Sequence, residues 1–510
     1  GWVPKYLPLK DRKEVLAALK KHAAGAHTVY LAPDPDREGE AIAWHLKESL
    51  GLKEGQTRRV TFNEITKTAV QKAFSSAGHI NMDLVAAQEA RRFLDRVVGY
   101  QLSPLLSRKL AQHLSAGRVQ SVAVRLIVER EREIQKFKPE EYWKITALLR
   151  PTSLAPTEKA ETPKPKGRAR KASAAARDAT KVTTNGPILQ QGGALPDGST
   201  QEAGTTQPGG VVDQEAPPEK PPLPEGSFLA ELAQWNGEKF KADSQEKIDP
   251  IVKALQGAAY VVAKVEQKDR QEKAPAPFTT STLQQQASLR LRYSAKRTMM
   301  IAQRLYEGVD LGKEGSVALI TYMRTDSTRI AEEAEAQCRS HIQKEYGDAY
   351  LPEKPNRYAA SKDAQGAHEA IRPTDLAYTP ERVASFLPQE QQRLYALIYN
   401  RFVACQMKPA IFAVTSVEIR ATSSSPRTPP ALTTNSSPLT GIFRAQGRTL
   451  KFDGFRRVLS PGKQEDTLLP PMKEEEALDL LKLDPTQHFT EPPPRYNEAS
   501  LVKTLEKEGI

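Results

Sequence analysis

The feature that most constrains the fold is a short apolar run followed at once by an acidic turn and an amphipathic helix. Residues 28–32 (TVYLA) read as a buried strand, and residues 36–50 (DREGEAIAWHLKESL) read as a helix that Gly51 ends. A strand, a tight turn and a helix make half of an open α/β unit. Binding sites in such sheets lie at the carboxyl ends of the strands, so the turn is predicted to be a site.

Three carboxylates crowd this turn, namely Asp34, Asp36 and Glu38. Close carboxylates raise one another's pKa, and a divalent cation among them relieves the repulsion. Because Mg²⁺ prefers oxygen ligands, we predict these three residues as its ligands, with Glu40 one turn further in as a supporting residue. The alternative is an ordinary acidic helix start with a capping Asp, which the preceding strand disfavours.

Length and composition indicate a protein of several domains. The 510 residues exceed one ordinary domain. A formal net charge of +12 favours polyanionic partners, of which nucleic acid is the first candidate. A protein with basic tails would carry the same excess of positive charge. Two cysteines exclude a disulfide framework and a zinc ribbon, and they fit a reducing cytosol. The sequence has no apolar run long enough for a membrane span and no visible signal peptide.

Two segments, residues 151–226 and 420–439, are poor in large apolar side chains and rich in Pro, Ser and Thr. Such segments cannot bury enough apolar surface to order themselves, so both are predicted to be disordered insertions between structured stretches. The basic part of the first, residues 164–177, is either a contact to DNA without sequence preference or an inert linker.

A second apolar run, residues 316–323 (SVALITYM), is predicted to be a short strand that ends at Tyr322. In extended chain Arg324 projects to the same side as Tyr322. A phenol is a poor nucleophile unless a cation and a guanidinium stabilise the phosphate that it attacks. Taken alone, these two residues favour a strand end with a salt-bridged Arg over a nucleophile.

A long helical stretch, residues 82–136, is predicted to break near residues 100–106 and 114–121. It places Arg92, Arg96 and Tyr100 on one stripe, with Asp95 able to orient Arg92. Arginines hold phosphates and a tyrosine stacks on an unpaired base, so the stripe is predicted to bind single-stranded DNA. A solvated basic helix face is the alternative.

The second break contains a Ser-Ala-Gly turn. Gly117 there lets the backbone approach a DNA strand closely. Ser115, Arg118 and Gln120 are predicted to be polar contacts to the same strand.

The strings DPDREGEAIAWHL and YMRTDS together resemble the bacterial type IA DNA topoisomerases of the topoisomerase I branch, which belong to the TOPRIM superfamily. Other segments agree in the family's order: FNEIT (62–66), ARRFLDRVVGYQLSPLL (90–106), LSAGRVQSVAVRLIVERERE (114–133), AHEAIRPT (367–374) and PPRYNEASLVKTLEKEGI (493–510). The resemblance covers nearly the whole chain apart from the two insertions.

This resemblance implies relaxation of negatively supercoiled DNA by single-strand cleavage, strand passage and religation without ATP. It implies that Tyr322 forms a 5′-phosphotyrosyl link, with Arg324 positioning the phosphate and His368 beside it. It supports Mg²⁺ as the cofactor of the acidic turn. Arg372 is carried over as a DNA contact or a support of its loop.

The resemblance also implies a multidomain α/β plus α fold that closes into a toroid. A Rossmann-like TOPRIM domain is expected over residues 1–80, and a helical single-strand-binding domain over 81–142 with a return at 480–510. A β-rich arch is expected over 143–277 with a return at 410–479, and a helical domain with the tyrosine over 278–409. The expected protein is a cytoplasmic, nucleoid-associated monomer (or an organellar one in a eukaryote) without a membrane partner.

Two other functions remain open from the sequence. One is a TOPRIM nuclease or primase, which needs no Tyr322, and the other is a non-catalytic clamp on single-stranded DNA. The resemblance further implies a Glu and a Lys in a first TOPRIM strand, which we do not find ahead of residue 28. We therefore expect an N-terminally truncated chain that is impaired in cleavage.

Overall fold

The computed structural model describes residues 5–154, 223–358, 369–423, 438–459 and 467–509. The predicted insertions fall mostly outside these ranges, so their predicted disorder lies outside the described residues. The strands on either side of residues 155–222 pair with each other in antiparallel fashion, and so do the strands on either side of residues 424–437. The flanks of both segments are therefore structured, as the sequence predicted.

The N-terminal unit alternates helices and strands, and the predicted strand–turn–helix is confirmed. Its two strands are parallel, with Leu31 opposite Arg59. Gly51 ends the helix in the left-handed conformation at φ 70°. The elements are α1 (Lys13–Ala24), β1 (Val29–Leu31), α2 (Arg37–Leu50), β2 (Thr57–Arg59) and α3 (Lys67–Ser75).

The long helical stretch is broken where the sequence predicted. Asn81 caps its first helix by accepting the backbone N–H groups of Asp83 and Leu84. The first break is a five-residue π-helical turn at Val98–Leu102, and the second is an irregular loop that ends at Gly117. The helices are α4 (Met82–Val97), α5 (Ser103–Lys109) and α6 (Arg118–Lys136).

A large antiparallel sheet forms the β-rich part of the molecule. Six strands pair in the order β10-β9-β6-β11-β3-β4, and β10 pairs again with β4, so the ring of pairings closes. Closure leaves none of the six strands with a free edge along its whole length. The strands are β3 (Glu141–Pro151), β4 (Phe228–Trp235), β5 (Glu238–Lys239), β6 (Ala258–Glu272), β9 (Ala410–Ser423), β10 (Leu439–Phe452) and β11 (Ala477–Phe489).

The sheet encloses its own apolar core of alternating inward side chains, including Ile145, Phe228 and Phe443, which are at most 2% exposed. Helix α7 (Gln245–Gln256) packs against this core through Ile248 and Leu255. Strand β11 runs ten residues past the predicted arch boundary at 479, because it stays paired with β3 as far as Phe489.

A second core lies in the helical part that carries the tyrosine. Leu305, Leu319, Ile320 and Phe402 are among its fully buried side chains. Two short strands, β7 (Val309–Asp310) and β8 (Ser316–Val317), form a small hairpin within it. The helices are α8 (Thr280–Leu291), α9 (Ala295–Glu307), α10 (Glu332–Tyr346), α11 (Pro380–Val383), α12 (Gln389–Cys405) and α13 (Glu498–Lys507), the last from the C-terminal end.

The predicted strand at residues 316–323 is shorter than expected. Only Ser316–Val317 is a strand, and Ile320 makes one isolated bridge to Pro373. The backbone N–H groups of Thr321 and Tyr322 donate instead to Arg372 and Asn63, which lie on different segments, so no ladder continues. The mixed α/β and α class is confirmed, whereas the division into domains and the ring-like closure of the chain stay predictions.

Candidate functional site

The acidic turn is shaped by its helix start. Asp36 caps α2 by accepting the Gly39 N–H at 2.8 Å through Oδ1. The chain folds back tightly here, and a Cβ added at Gly39 would lie 2.0 Å from the carbonyl oxygen of Asp34. The sequence therefore needs glycine at this position so that Asp34 and Asp36 can approach the helix start.

A buried arginine holds the other side of the turn. Arg59, at the end of β2, is 4% exposed, and its Nε donates to Glu40 at 2.7 Å. Its guanidinium also donates to the carbonyl oxygens of Leu31, Pro33 and Asp34. Glu40 is thus a structural counter-ion, which agrees with the supporting role predicted for it.

The tyrosine segment meets this turn across 286 residues of sequence. The Tyr322 hydroxyl donates to Asp36 Oδ2 at 2.6 Å. Its backbone N–H donates to the carbonyl oxygen of Asn63 at 2.7 Å, and the Tyr306 ring packs edge-on at 5.3 Å between centroids. The predicted nucleophile and one predicted metal ligand therefore share a hydrogen bond, and Tyr322 is only 3% exposed.

The surroundings favour the neutral phenol. Burial raises the pKa of Tyr322 well above its usual value, and the hydrogen bond to Asp36 and the charges of Asp36 and Asp34 add to this, while Arg324 opposes it. Burial and the charge of Asp36 likewise raise the pKa of Asp34. Asp34 and Asp36 are therefore close enough to repel each other.

Arg324 stands at the mouth of this site. Its side chain is 57% exposed, and Nη1 lies 3.9 Å from Asp36 Oδ2. Tyr322 and Arg324 thus reach the same carboxylate oxygen, as expected for residues on one side of the chain. The adjoining cavity of about 460 Å³ is lined by Asp36, Arg37, Glu38, Arg91, Thr280, Arg324, Thr325 and Asp326.

The three predicted metal ligands do not converge. Within the described ranges, no three acidic, His or Cys side chains are grouped closely enough to hold an ion together. Glu38 faces arginines instead, with Oε1 3.3 Å from Arg37 Nε and 3.7 Å from Arg91 Nη1. Glu38 also lines the cavity beside Asp36 and Arg324, and its role as a ligand stays a prediction. Asp34 and Asp36, two repelling carboxylates, remain a donor set that suits Mg²⁺ with further oxygens from water or phosphate.

The predicted stripe on α4 lines one cavity of about 450 Å³. Its lining residues are Glu38, Gln88, Arg91, Arg92, Asp95, Arg96 and Tyr100. Tyr100 is 73% exposed, and the Arg96 guanidinium lies 5.3 Å from the centre of its ring. Arg92 instead stacks over Tyr6 at 5.4 Å. The residues of the stripe therefore line one common cavity, and their role in DNA binding stays a prediction.

The second break sits beside this stripe. Asp95 pairs with Arg118 at 3.1 Å and with Arg91 at 3.9 Å, so the expected pairing with Arg92 is wrong. Gly117 occupies the N-cap position of α6 with an extended backbone. Gln120, in the first turn of α6, donates through Nε2 to Ser115 Oγ in the loop at 3.4 Å.

The predicted contact from Arg372 to DNA stays a prediction, and the structure places this side chain among carboxylates. Arg372 is 5% exposed, and its guanidinium lies between Glu64 and Glu369 rather than facing a groove. Its second predicted role, support of its own loop, agrees with this placement. His368 lies outside the described residues.

Sequence reasoning missed three positioning residues. Arg59 and Glu64 carry charge into buried positions, and a charged residue at the end of a short strand was the available signal for Arg59. Thr280 holds the loop after Tyr322, because its hydroxyl donates to the carbonyl oxygen of Met323 and accepts the Thr325 N–H at 2.8 Å. Nothing local in the sequence marks Thr280.

The parallel β-α unit with its acidic turn is the part of the fold that the resemblance assigned to a TOPRIM domain, and the distant tyrosine contacts it. A family described as the Toprim domain matches residues 4–65, and one described as DNA topoisomerase matches residues 79–188 and 220–510. The chain belongs to the bacterial type IA DNA topoisomerase I family.

Curated relatives agree with this membership. The chain is 44% identical to DNA topoisomerase 1 of Vibrio cholerae over 511 residues and 45% identical to DNA topoisomerase 1 of Pseudomonas aeruginosa over 516 residues. All of the chain is covered in both comparisons, against 47% and 48% of the relatives. The chain thus spans about half the length of the curated relatives that it matches.

A solved structure has a similar fold. The chain is similar to full-length topoisomerase I from Thermotoga maritima, with a TM-score of 0.71, 31% identity, and coverage of 100% of this chain and 68% of that one. Among the described residues, no helix has both the length and the apolar character of a membrane span.

Proposed function

We propose that this chain carries the cleavage centre of an enzyme that relaxes negatively supercoiled DNA. One strand is cut by transesterification, the other passes through the gap, and the cut strand is rejoined. The observation that carries the proposal is the 2.6 Å hydrogen bond between Tyr322 and Asp36, which joins the tyrosine of one motif to the acidic turn of another.

The cleavage step exchanges one phosphodiester for another. The Tyr322 oxygen attacks the phosphorus as its proton passes to Asp36, the acceptor already in contact. The bond from phosphorus to the 3′ oxygen breaks, its electron pair goes to that oxygen, and the oxygen takes a proton from solvent while Asp36 returns its proton to solvent. Religation is the reverse, so the phosphoester is conserved and ATP is not required.

The residues around Tyr322 are proposed to bind the phosphate and to control the proton of the phenol. Arg324, exposed at the mouth, is suited to bind the phosphate oxygens and to stabilise the charge that develops there. Because the phenol is buried and held neutral, its proton must leave as the bond to phosphorus forms, and Asp36 is placed to take it. We infer that the described arrangement is the closed state of the interface between Tyr322 and the acidic turn.

Asp34 and Asp36 would hold one Mg²⁺. When bound, the ion supplies positive charge that offsets the carboxylates beside the phosphate. Calorimetry with Mg²⁺ tests this assignment, since Asp34→Asn should weaken binding, and a similar weakening in Glu38→Gln would add Glu38 as a third ligand.

The incoming single strand is proposed to cross the surface of α4. The cavity at the stripe and the cavity beside Asp36 share Glu38 and Arg91, so they are neighbouring parts of one surface. Arg96 and Tyr100 offer a phosphate contact and a stacking face there. A protein that works on DNA in this way is expected at the nucleoid as a monomer.

A plasmid relaxation assay with Mg²⁺ tests the proposal, using the complete gene product, residues 1–510 and Tyr322→Phe. We expect the Phe variant to lose relaxation and to form no covalent adduct with DNA. Relaxation by that variant would overturn the proposal. Cutting without an adduct would favour the nuclease, and binding without cutting by every form would favour the clamp.

A further inference from the structure

A largely buried group of three charges joins the N-terminal unit to the tyrosine segment. Arg372 Nη2 lies 2.9 Å from Glu64 Oε2 and 3.0 Å from Glu369 Oε2. The three side chains are 6%, 18% and 11% exposed, respectively. Glu64 belongs to the loop between β2 and α3, whereas Arg372 and Glu369 precede α11, so the ion pair crosses the interface at which Tyr322 meets the acidic turn.

The backbone beside this ion pair holds the tyrosine. The Arg372 carbonyl oxygen accepts the Thr321 N–H at 2.9 Å. The carbonyl oxygen of Asn63, next to Glu64, accepts the Tyr322 N–H at 2.7 Å. Two consecutive residues of the tyrosine segment are therefore fixed by acceptors on opposite sides of one ion pair. A separation of Glu64 from Arg372 pulls these acceptors apart.

Each charge keeps a local partner when the interface separates. Arg372 retains Glu369, three residues away on its own segment, with its Nε donating at 3.0 Å. Glu64 retains the Thr66 hydroxyl, which donates to Oε1 at 3.1 Å. Breaking a buried ion pair is costly when one charge stays buried alone, but an opening interface hydrates both charges. The pair is thus suited to break and re-form reversibly.

We propose that Glu64 and Arg372 are positioning residues for Tyr322 and form a latch, which holds the tyrosine segment on the acidic turn and separates when that segment leaves it. The inference rests on the proposed function, in which these two parts of the chain must part for a strand to pass. The latch acts through the backbone of residues 321 and 322, not through contact with DNA.

A distance measurement between two spin labels tests the latch without DNA or activity. Labels at Gln71→Cys on α3 and Ala336→Cys on α10 lie at exposed positions on facing helices. The native Cys338 and Cys405 are fully buried and should not be labelled. We expect a single short distance in the otherwise unmodified chain. Glu64→Gln should raise the population at longer distance about tenfold, a typical coupling between two sites.

The matched control is Glu333→Gln, which removes the exposed ion pair from Lys72 across the same interface. Its distance distribution should equal that of the labelled parent, because an exposed pair contributes little. If Glu64→Gln also gives only the short distance, the latch does not exist. Should Glu64→Gln fail to fold, Glu64→Asp keeps the charge on a shorter side chain and should give an intermediate shift. No shift in Glu64→Asp would then overturn the latch.

A second readout separates positioning from simple loss of structure. With a single-stranded oligonucleotide, Glu64→Gln should form the covalent adduct about tenfold more slowly at unchanged oligonucleotide affinity. Equal weakening of affinity and rate would contradict a positioning role. If the complete gene product forms no adduct at all, the proposed function fails, whereas the label distances still decide whether the latch exists.

Discussion

Two sets of charged residues near the same site have opposite surroundings. Arg59 and Glu40 form an ion pair whose side chains are 3% and 5% exposed. Arg118 and Asp95, on the stripe surface, pair at 33% and 47% exposure. A buried pair must be satisfied within the fold, whereas an exposed pair exchanges with water and leaves its arginine available to a phosphate. Burial, rather than residue type, decides which arginines build the site and which can meet DNA.

The largest effect should come from breaking the buried pair. Arg59→Met leaves Glu40 charged and buried, and it also removes the donors to three carbonyl groups of the acidic turn. The expected loss is about 3–5 kcal/mol in the local free energy of unfolding. Amide hydrogen exchange in α2 measures it. The double variant with Glu40→Met should lose less than Arg59→Met alone, and simple addition of the two losses would contradict a coupled pair.

Steric crowding at the turn should give the next largest effect. Gly39→Ala forces a Cβ against the carbonyl oxygen of Asp34, and we expect a loss of about 1–3 kcal/mol. Gly25→Ala is the matched control, since a Cβ there meets nothing within 4 Å. Urea denaturation compares the two variants. Equal stability would show that the turn relaxes without cost.

On the exposed side, the effect should appear in binding rather than in stability. Arg96→Ala should change stability by less than about 1 kcal/mol and should lower the salt dependence of oligonucleotide binding by about 0.7 in log–log slope. Arg125, which pairs with Glu129 on α6 and lies outside both cavities, provides the control. Fluorescence titration over a range of salt concentrations measures the slope. An unchanged slope for Arg96→Ala would remove it from the DNA surface.

The smallest effect concerns a residue of intermediate burial. Burial and the charge of Arg92 lower the pKa of His45, so the folded state binds its proton less tightly than the unfolded state does. Its stability contribution is therefore present above the unfolded pKa of about 6.5 and is lost as pH falls through the folded value. Between about pH 7.5 and 5, the unmodified protein should lose less than about 1 kcal/mol of stability through this effect, and His45→Gln should not show that loss. Tm measured across this pH range gives the comparison. An identical pH profile for both proteins would contradict this.

Local patterns predicted much of the site. The sequence predicted the strand, the acidic turn and the helix that Gly51 ends, because each of these elements depends on residues close together in sequence. The stripe of Arg92, Arg96 and Tyr100 followed from helical spacing, although a π-helical turn begins before Tyr100. The length of the strand before Tyr322 was wrong, because its backbone groups bond to distant segments instead of a neighbouring strand.

By itself, the sequence determined which residues are the candidates for the chemistry: the carboxylates of the acidic turn, Tyr322 and Arg324. Only the tertiary structure decided how they are used. In the folded chain, Asp36 accepts the hydrogen bond from the tyrosine, Glu38 lies beside arginines, and Arg372 is buried against Glu64. The physical reason is the sequence separation over which each feature is set. Helix caps and stripes depend on spacings of a few residues, whereas the partner of a buried charge is fixed by packing between segments far apart in the chain.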